Sequence, residues 1–383
     1  MQTAKRMERI PFSPIRKIFE AVNNREKQGE KITHLEIGRP DFDTPAHIKT
    51  AAKKALDEGK VHYVSNFGLP ELRLAISRKL KSENNMTYDP EAEIIVTVGA
   101  SEAIFAAMMA LLDPGDEVLV PEPFFPNYLM CAHMAGAKPV GVPLRAENGY
   151  NPDVEDYKRL LTERTRMMIV TTPGNPTGTA LTPEALSKLS RFACQHDLFV
   201  VADEIYEKMV YDDSHHLSIG SLPEMRDRTL TVNGFSKSYA MTGWRLGYVA
   251  AEAQLIAAVV RIHQYTVVCA NSFGQWGALA ALDGPQNCVA EMVSEFDRRR
   301  QMMIKRLSAM PRISFERPTG AFYIYIDTSG LGKSAHEIAQ YLLDRAGVAV
   351  VAWDQSHIRI SYANSYDNLA EAMDRMASAL KKI

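Results

Sequence analysis

The chain has 383 residues, 46% hydrophobic and 23% charged, with 44 Lys plus Arg against 46 Asp plus Glu and a net charge of -2. That length exceeds one small core and predicts two domains, and the interspersed charges exclude a general nucleic-acid or anionic-membrane binder. The opening MQTAKRMERIPFSPIRK is too charged for the apolar segment of a secretory signal, and the longest strongly apolar run, AIFAAMMALL at 103–112, has 10 residues where a bilayer span needs ~20.

In chain order, IRKIFEAVNNREKQG at 15–29 predicts a helix within an N-terminal segment, 1–45, that packs with the smaller domain. Strands are expected at IIVTV (94–98), EVLVP (117–121), KPVGV (138–142), MMIVT (167–171), LFVVA (198–202), TLTVN (229–233) and LGYVA (246–250). Helices are expected over 101–112, 182–195 and 252–264. Continuous apolar strands separated by helical stretches imply an α/β fold, with a mostly parallel seven-stranded sheet covered by helices across a large domain, 46–284. The pattern then changes: a long polar helix at 286–309, strands at 321–326, 348–351 and 358–361, and helices near 334–345 and 366–381 predict a smaller α+β domain, 285–383.

In open parallel sheets ligands bind beyond the carboxyl ends of the strands, and the chemically distinctive residues follow such ends. GASEA at 99–103 opens the apolar helix, so the free N–H groups of Ala100 and Ser101 suit a phosphate, although a Ser cap with Gly in the turn is an equal reading. GLGKS at 330–334 carries Asp327 where a P-loop needs its first Gly and reads as a loop. PEPFFPNY at 121–128 offers Phe124 or Phe125 to the face of an aromatic ligand, against the commoner role of a core aromatic. In TTPGNPTGTALT at 171–182, Asn175 suits a turn, and its amide can also donate to a ligand oxygen. VVADEIYE at 200–207 ends an apolar strand on Asp203, where a carboxylate is costly without a cationic partner, whether ligand or structural ion pair. Tyr206 follows three residues later. In NGFSKSYAMTGWRLGYV at 233–249, Lys237 and Arg245 stand among small and aromatic residues, as a reactive amine requires and a solvated one does not.

A metal would need His, Cys or carboxylates together; the ten histidines show no H-E-x-x-H, and Cys131, Cys194, Cys269 and Cys288 are far apart. Four free thiols in a cytosolic protein are expected, with no metal. The combined set fits pyridoxal phosphate: an aldehyde for Lys237, a pyridinium for Asp203, a ring hydroxyl for Tyr206 and Asn175, and a phosphate for the helix N-terminus and Arg245.

With LEIGRPDFDTP (35–45), YVSNFGLPELR (63–73) and IRISYA (358–363), the chain resembles fold-type-I, class I/II aminotransferases, close to the aspartate and aromatic aminotransferases of bacteria and archaea. The resemblance spans nearly the whole chain. It implies that Lys237 is the Schiff-base lysine and proton shuttle, that Ser236 and Arg245 bind phosphate beside the Ala100 and Ser101 amides, and that Phe125 stacks on the ring. It further implies that Asn175 and Tyr206 bind the ring hydroxyl and Asp203 the ring nitrogen. Arg359 would grip the substrate carboxylate, with Gly38 contacting it through its backbone and Asn175 also binding the substrate. Tyr63 would reach the phosphate of a neighbouring subunit, implying a homodimer with shared sites.

The implied reaction is ping-pong transfer of an α-amino group from an L-amino acid to a 2-oxo acid such as 2-oxoglutarate. Two departures stand out. Only AWDQSH separates VAVV from the Arg359 strand, where relatives carry a longer Gly-rich loop, and Arg39 replaces their usual Glu or Gln before Pro40. Arg39 is open to an acidic substrate side chain or to a surface ion pair. An eliminating or decarboxylating enzyme with the same cofactor is the alternative reaction class. A ligand-sensing regulator would need a DNA-binding module ahead of LEIGRP, and the sequence there suggests none.

Overall fold

The computed structural model describes residues 3–383; the first two residues of the N-terminal segment lie outside it. Seven strands form the principal sheet: β1 (Ile94–Thr97), β2 (Glu117–Glu122), β3 (Lys138–Pro143), β4 (Thr165–Thr171), β5 (Phe199–Asp203), β6 (Thr229–Gly234) and β7 (Gly247–Ala250). Their order is β1-β7-β6-β5-β4-β2-β3, and β7 alone runs antiparallel to its neighbours. The fold is α/β with a mostly parallel sheet, as expected from the sequence.

The two-residue period of a strand explains why these runs are apolar throughout. Val201 faces a layer formed by the helices Gly99–Leu111 and Ala253–Thr266, with Ala103, Ala107, Ile256 and Val259 against it. Val200 and Ala202 face the other way, onto Leu186, Leu189 and Phe192 of Pro183–Gln195. That helix starts where its chemistry permits: Thr182 accepts from the Ala185 N–H at 3.2 Å, and Pro183 follows in the first turn, where its missing N–H costs nothing. The apolar Gly99–Leu111 helix is enclosed between sheet and helices, and among the described residues no helix is long and apolar enough to cross a membrane.

A second, antiparallel sheet contains β8 (Ser314–Phe315), β9 (Tyr323–Asp327), β10 (Val351–Ala352) and β11 (His357–Ser361), in the order β10-β11-β9-β8. Ile324, Ile326, Ile358 and Ile360 join Phe296, Met303, Leu342 and Met373 from its covering helices in a core that also takes in Ile205 and Met209, just past β5. The run expected as one strand at 348–351 is divided. Val348–Ala349 pairs in parallel with Thr33–His34, while Val351–Ala352 pairs with β11. The chain's beginning therefore supplies a partner strand to its end, and Val22 and Ile32 pack on Leu343 and Ala349.

Candidate active site

A cavity of about 380 Å³ opens at the carboxyl ends of β4, β5 and β6, within the size range of small-molecule sites. Gly38, Ala100, Ser101, Phe125, Asn175, Asp203, Tyr206, Ser236, Lys237, Arg245 and Arg359, all singled out above, line it together. Tyr63 does not line this cavity; its side chain is 85% exposed elsewhere on the surface.

Asp203 is the last residue of β5 and points to the same side as Val201. It is 5% exposed and accepts hydrogen bonds from the Tyr128 hydroxyl at 2.8 Å and the Ile205 N–H at 3.2 Å. Burial pushes its pKa up, opposed by those two donors. Among the described residues no cation forms an ion pair with it. Tyr128 belongs to the quoted PEPFFPNY stretch, yet its contact with a carboxylate 75 residues away has no sequence signal.

Lys237 follows β6 and extends its amine to the Gly38 carbonyl. Burial, reinforced by the positive charges of Arg359 and Arg245, lowers its pKa to about 8, so the amine loses its proton far more readily near neutrality than an exposed lysine does. Labelling of Lys237 by an amine-selective reagent in the unliganded protein should therefore rise with pH around a midpoint near 8. An exposed lysine would keep gaining reactivity to about pH 10.4. Peptide mapping of the labelled protein measures this, and a midpoint at the ordinary value would show that the amine is not desolvated.

At the opposite wall, strand alternation sends Ile358 and Ile360 into the core and turns Arg359 towards the cavity. Its guanidinium is 1% exposed, stacked between Tyr323 at 4.5 Å and Trp353 at 5.0 Å. It donates to Asn175 Oδ1 at 3.0 Å and to the Glu36 carbonyl, while its buried Nε has no partner. Among the described residues no carboxylate forms an ion pair with it. A buried cation left this way is costly unless an anionic ligand completes its shell.

The end expected to take a phosphate is built by close approach. Gly99 has φ +76°, a conformation that favours glycine, and a Cβ there would lie 2.6 Å from Arg245 Nη2, so the glycine leaves this guanidinium its place at the start of the Gly99–Leu111 helix. Arg245 is itself left-handed at φ 54° and is anchored by donation to the Thr242 carbonyl at 3.0 Å. The N–H groups of Ala100 and Ser101 lie in the first turn of the same helix, whose dipole favours an anion.

Arg39 is exposed at the cavity's edge and has no hydrogen-bond or ion-pair partner among the described residues. The short loop after VAVV is tied down by Asp354, which accepts from the backbone N–H groups of Ser356 and His357 at 2.8 Å each and from the Tyr325 hydroxyl. One group of metal-ligand types occurs among the described residues, Glu204, Glu207 and His216, behind Asp203. The Lys79 ammonium is paired with Glu207 there, and Asn84 bonds the same carboxylate at 2.9 Å.

Comparison with known proteins agrees with this geometry. The family model described as aminotransferase class I and II matches residues 30–376. An aspartate aminotransferase from Pyrococcus abyssi is 44% identical over 100% of this chain and 99% of that protein. Aromatic-amino-acid aminotransferase 2 from Thermococcus litoralis is 42% identical with the same coverage. The solved structure of an aspartate aminotransferase from Thermus thermophilus with maleate superposes with a TM-score of 0.95 at 37% identity, covering 99% of this chain and 100% of that one.

Proposed function

The chain belongs to the class I and II aminotransferase family and is an aminotransferase, and from that premise we propose that it moves the α-amino group of an L-amino acid to a 2-oxo acid such as 2-oxoglutarate. The exchange is ping-pong and uses pyridoxal phosphate, in a cytoplasmic homodimer whose Tyr63 completes the partner's site. The observation that carries this reading is a buried carboxyl and a buried guanidinium, Asp203 and Arg359, neither in an ion pair among the described residues, in one cavity with an amine of lowered pKa. Such a set is costly in an empty protein and is satisfied by a cationic ring on one side and a carboxylate on the other.

The residues present fit the cofactor. Asp203 would take the ring N–H, Asn175 and Tyr206 the ring hydroxyl, and Phe125 a ring face. The Ala100 and Ser101 amides, the Ser236 hydroxyl and Arg245 would take the phosphate. When bound, pyridoxal phosphate supplies an aldehyde that condenses with amines and a ring that accepts electron density.

Arg359 orients the substrate by a forked contact with its α-carboxylate, beside the Gly38 backbone, which holds the α-proton within reach of Lys237. Lys237 Nζ, uncharged and freed, removes that proton as general base. The enclosing wall of Tyr206, Tyr323 and Ile205 limits water around the amine.

Mixing the pyridoxal form with a panel of amino acids and following its conversion to the pyridoxamine form spectroscopically tests the proposal. Conversion is expected with at least one donor. Release of ammonia without an acceptor oxo acid would instead mark an eliminating enzyme.

Arg39 supports an acidic side chain on the preferred donor, since its guanidinium at the cavity edge has no ion-pair partner among the described residues and the similar Thermus aspartate aminotransferase was solved with maleate, a dicarboxylate. Arg39→Ala is expected to raise KM for aspartate roughly twofold to fivefold while leaving an aromatic donor nearly unchanged. Equal changes for both donors would remove Arg39 from side-chain recognition.

A further inference from the structure

Tyr323 is not among the residues that the sequence motifs point to, yet it touches three parts of the site. Its hydroxyl lies 2.7 Å from that of Tyr206, its ring lies 4.5 Å from the Arg359 guanidinium, and a Cβ on Gly38 would fall 2.2 Å from its oxygen. The side chain is 1% exposed, and the Tyr206 hydroxyl is its hydrogen-bond partner. Gly38 thus leaves room for a phenol at the point where its own carbonyl receives Lys237. We propose that Tyr323 is a positioning residue that donates its only hydroxyl proton to Tyr206 and thereby directs the Tyr206 proton at the cofactor's ring oxygen.

The direction follows from counting protons. Each phenol carries one proton and can donate once. Burial pushes both hydroxyls up in pKa, so both stay protonated at working pH. Alone, the pair could point either way. Once an anionic ring oxygen accepts the hydrogen bond of the Tyr206 hydroxyl, Tyr206 can serve Tyr323 only as acceptor, and Tyr323 must be the donor. Hydrogen bonds in a chain polarise one another, so a donor behind Tyr206 makes it a stronger donor in front. The charged groups around the pair are Asp203, Lys237 and Arg359, and all three remain in place when the Tyr323 hydroxyl alone is removed.

This inference rests on the cofactor reading above, and absorbance separates the two. The parent protein, reconstituted with pyridoxal phosphate, should show a visible band that changes with pH; the absence of any such band would count against the cofactor itself. Tyr323→Phe keeps the ring against Arg359 and removes the hydroxyl. It should raise the pH midpoint of the band by roughly half a unit, because the negative ring oxygen loses stabilisation and the neighbouring proton is held more tightly. Tyr206→Phe should raise it further, and the double variant should match Tyr206→Phe alone, since Tyr323 acts through that hydroxyl. The KM for the amino donor should change little in Tyr323→Phe. An unchanged midpoint in Tyr323→Phe, or a double variant shifted by the sum of the two, overturns the proposal.

Discussion

Replacing Lys237 with alanine is expected to abolish transamination, lowering kcat by roughly 10⁴-fold or more, because the proposed covalent anchor and the proposed base for the α-proton are lost together. The proposed phosphate and ring contacts would not depend on this side chain. Ala100, Ser101, Arg245, Asp203 and Asn175 come from other segments, so cofactor binding should persist in weakened form. Equilibrium dialysis against pyridoxal phosphate, beside a half-transamination assay with single substrates, separates the two effects. Full turnover in the variant would exclude Lys237 as the reacting amine. Lys237→Arg is a useful companion, since it keeps a cation near Gly38 but offers no free amine at working pH.

Arg359→Ala should reduce kcat/KM for α-amino acids by roughly 10²- to 10³-fold, mainly through KM, as expected when one partner of a buried, charge-assisted contact is removed. The guanidinium also fills the space between Tyr323 and Trp353, so repacking contributes to the loss. Arg359→Lys distinguishes these contributions: it retains the charge but not the fork, and should recover only a fraction of the lost affinity. A primary amine lacking the carboxylate should react equally well with parent and variant. An unchanged KM for amino acids in Arg359→Ala would remove this residue from carboxylate recognition.

The two variants probe opposite sides of one cavity, and the sequence disclosed the sides unequally. Asp203, Lys237 and the GASEA turn follow strands whose apolar runs are evident by inspection, so their place at strand ends could be read directly. Tyr128 and Tyr323 could not be found this way. Their hydroxyls meet Asp203 and Tyr206 across separations of 75 and 117 residues, and a tyrosine among aromatic neighbours reads as core until the packing is known. The same limit applies to the run at 348–351. Its apolar pattern marks a strand, but the division between two partners arises because Thr33–His34 occupies the pairing edge of Val348–Ala349. Arg39 lies between these cases: its identity departs from the usual pattern, and only the structure shows that no carboxylate among the described residues engages it.

By itself, the sequence determined the layered α/β architecture and the inventory of chemical groups, because strand and helix periodicities and the turn residues at strand ends are local properties of the chain. The tertiary structure decided which charges are left unpaired, how far the Lys237 amine is desolvated, and which phenols stand behind Asp203 and Tyr206. Those properties depend on distances between segments brought together by strand order, register and side-chain packing, and electrostatic and hydrogen-bond energies vary steeply with such distances.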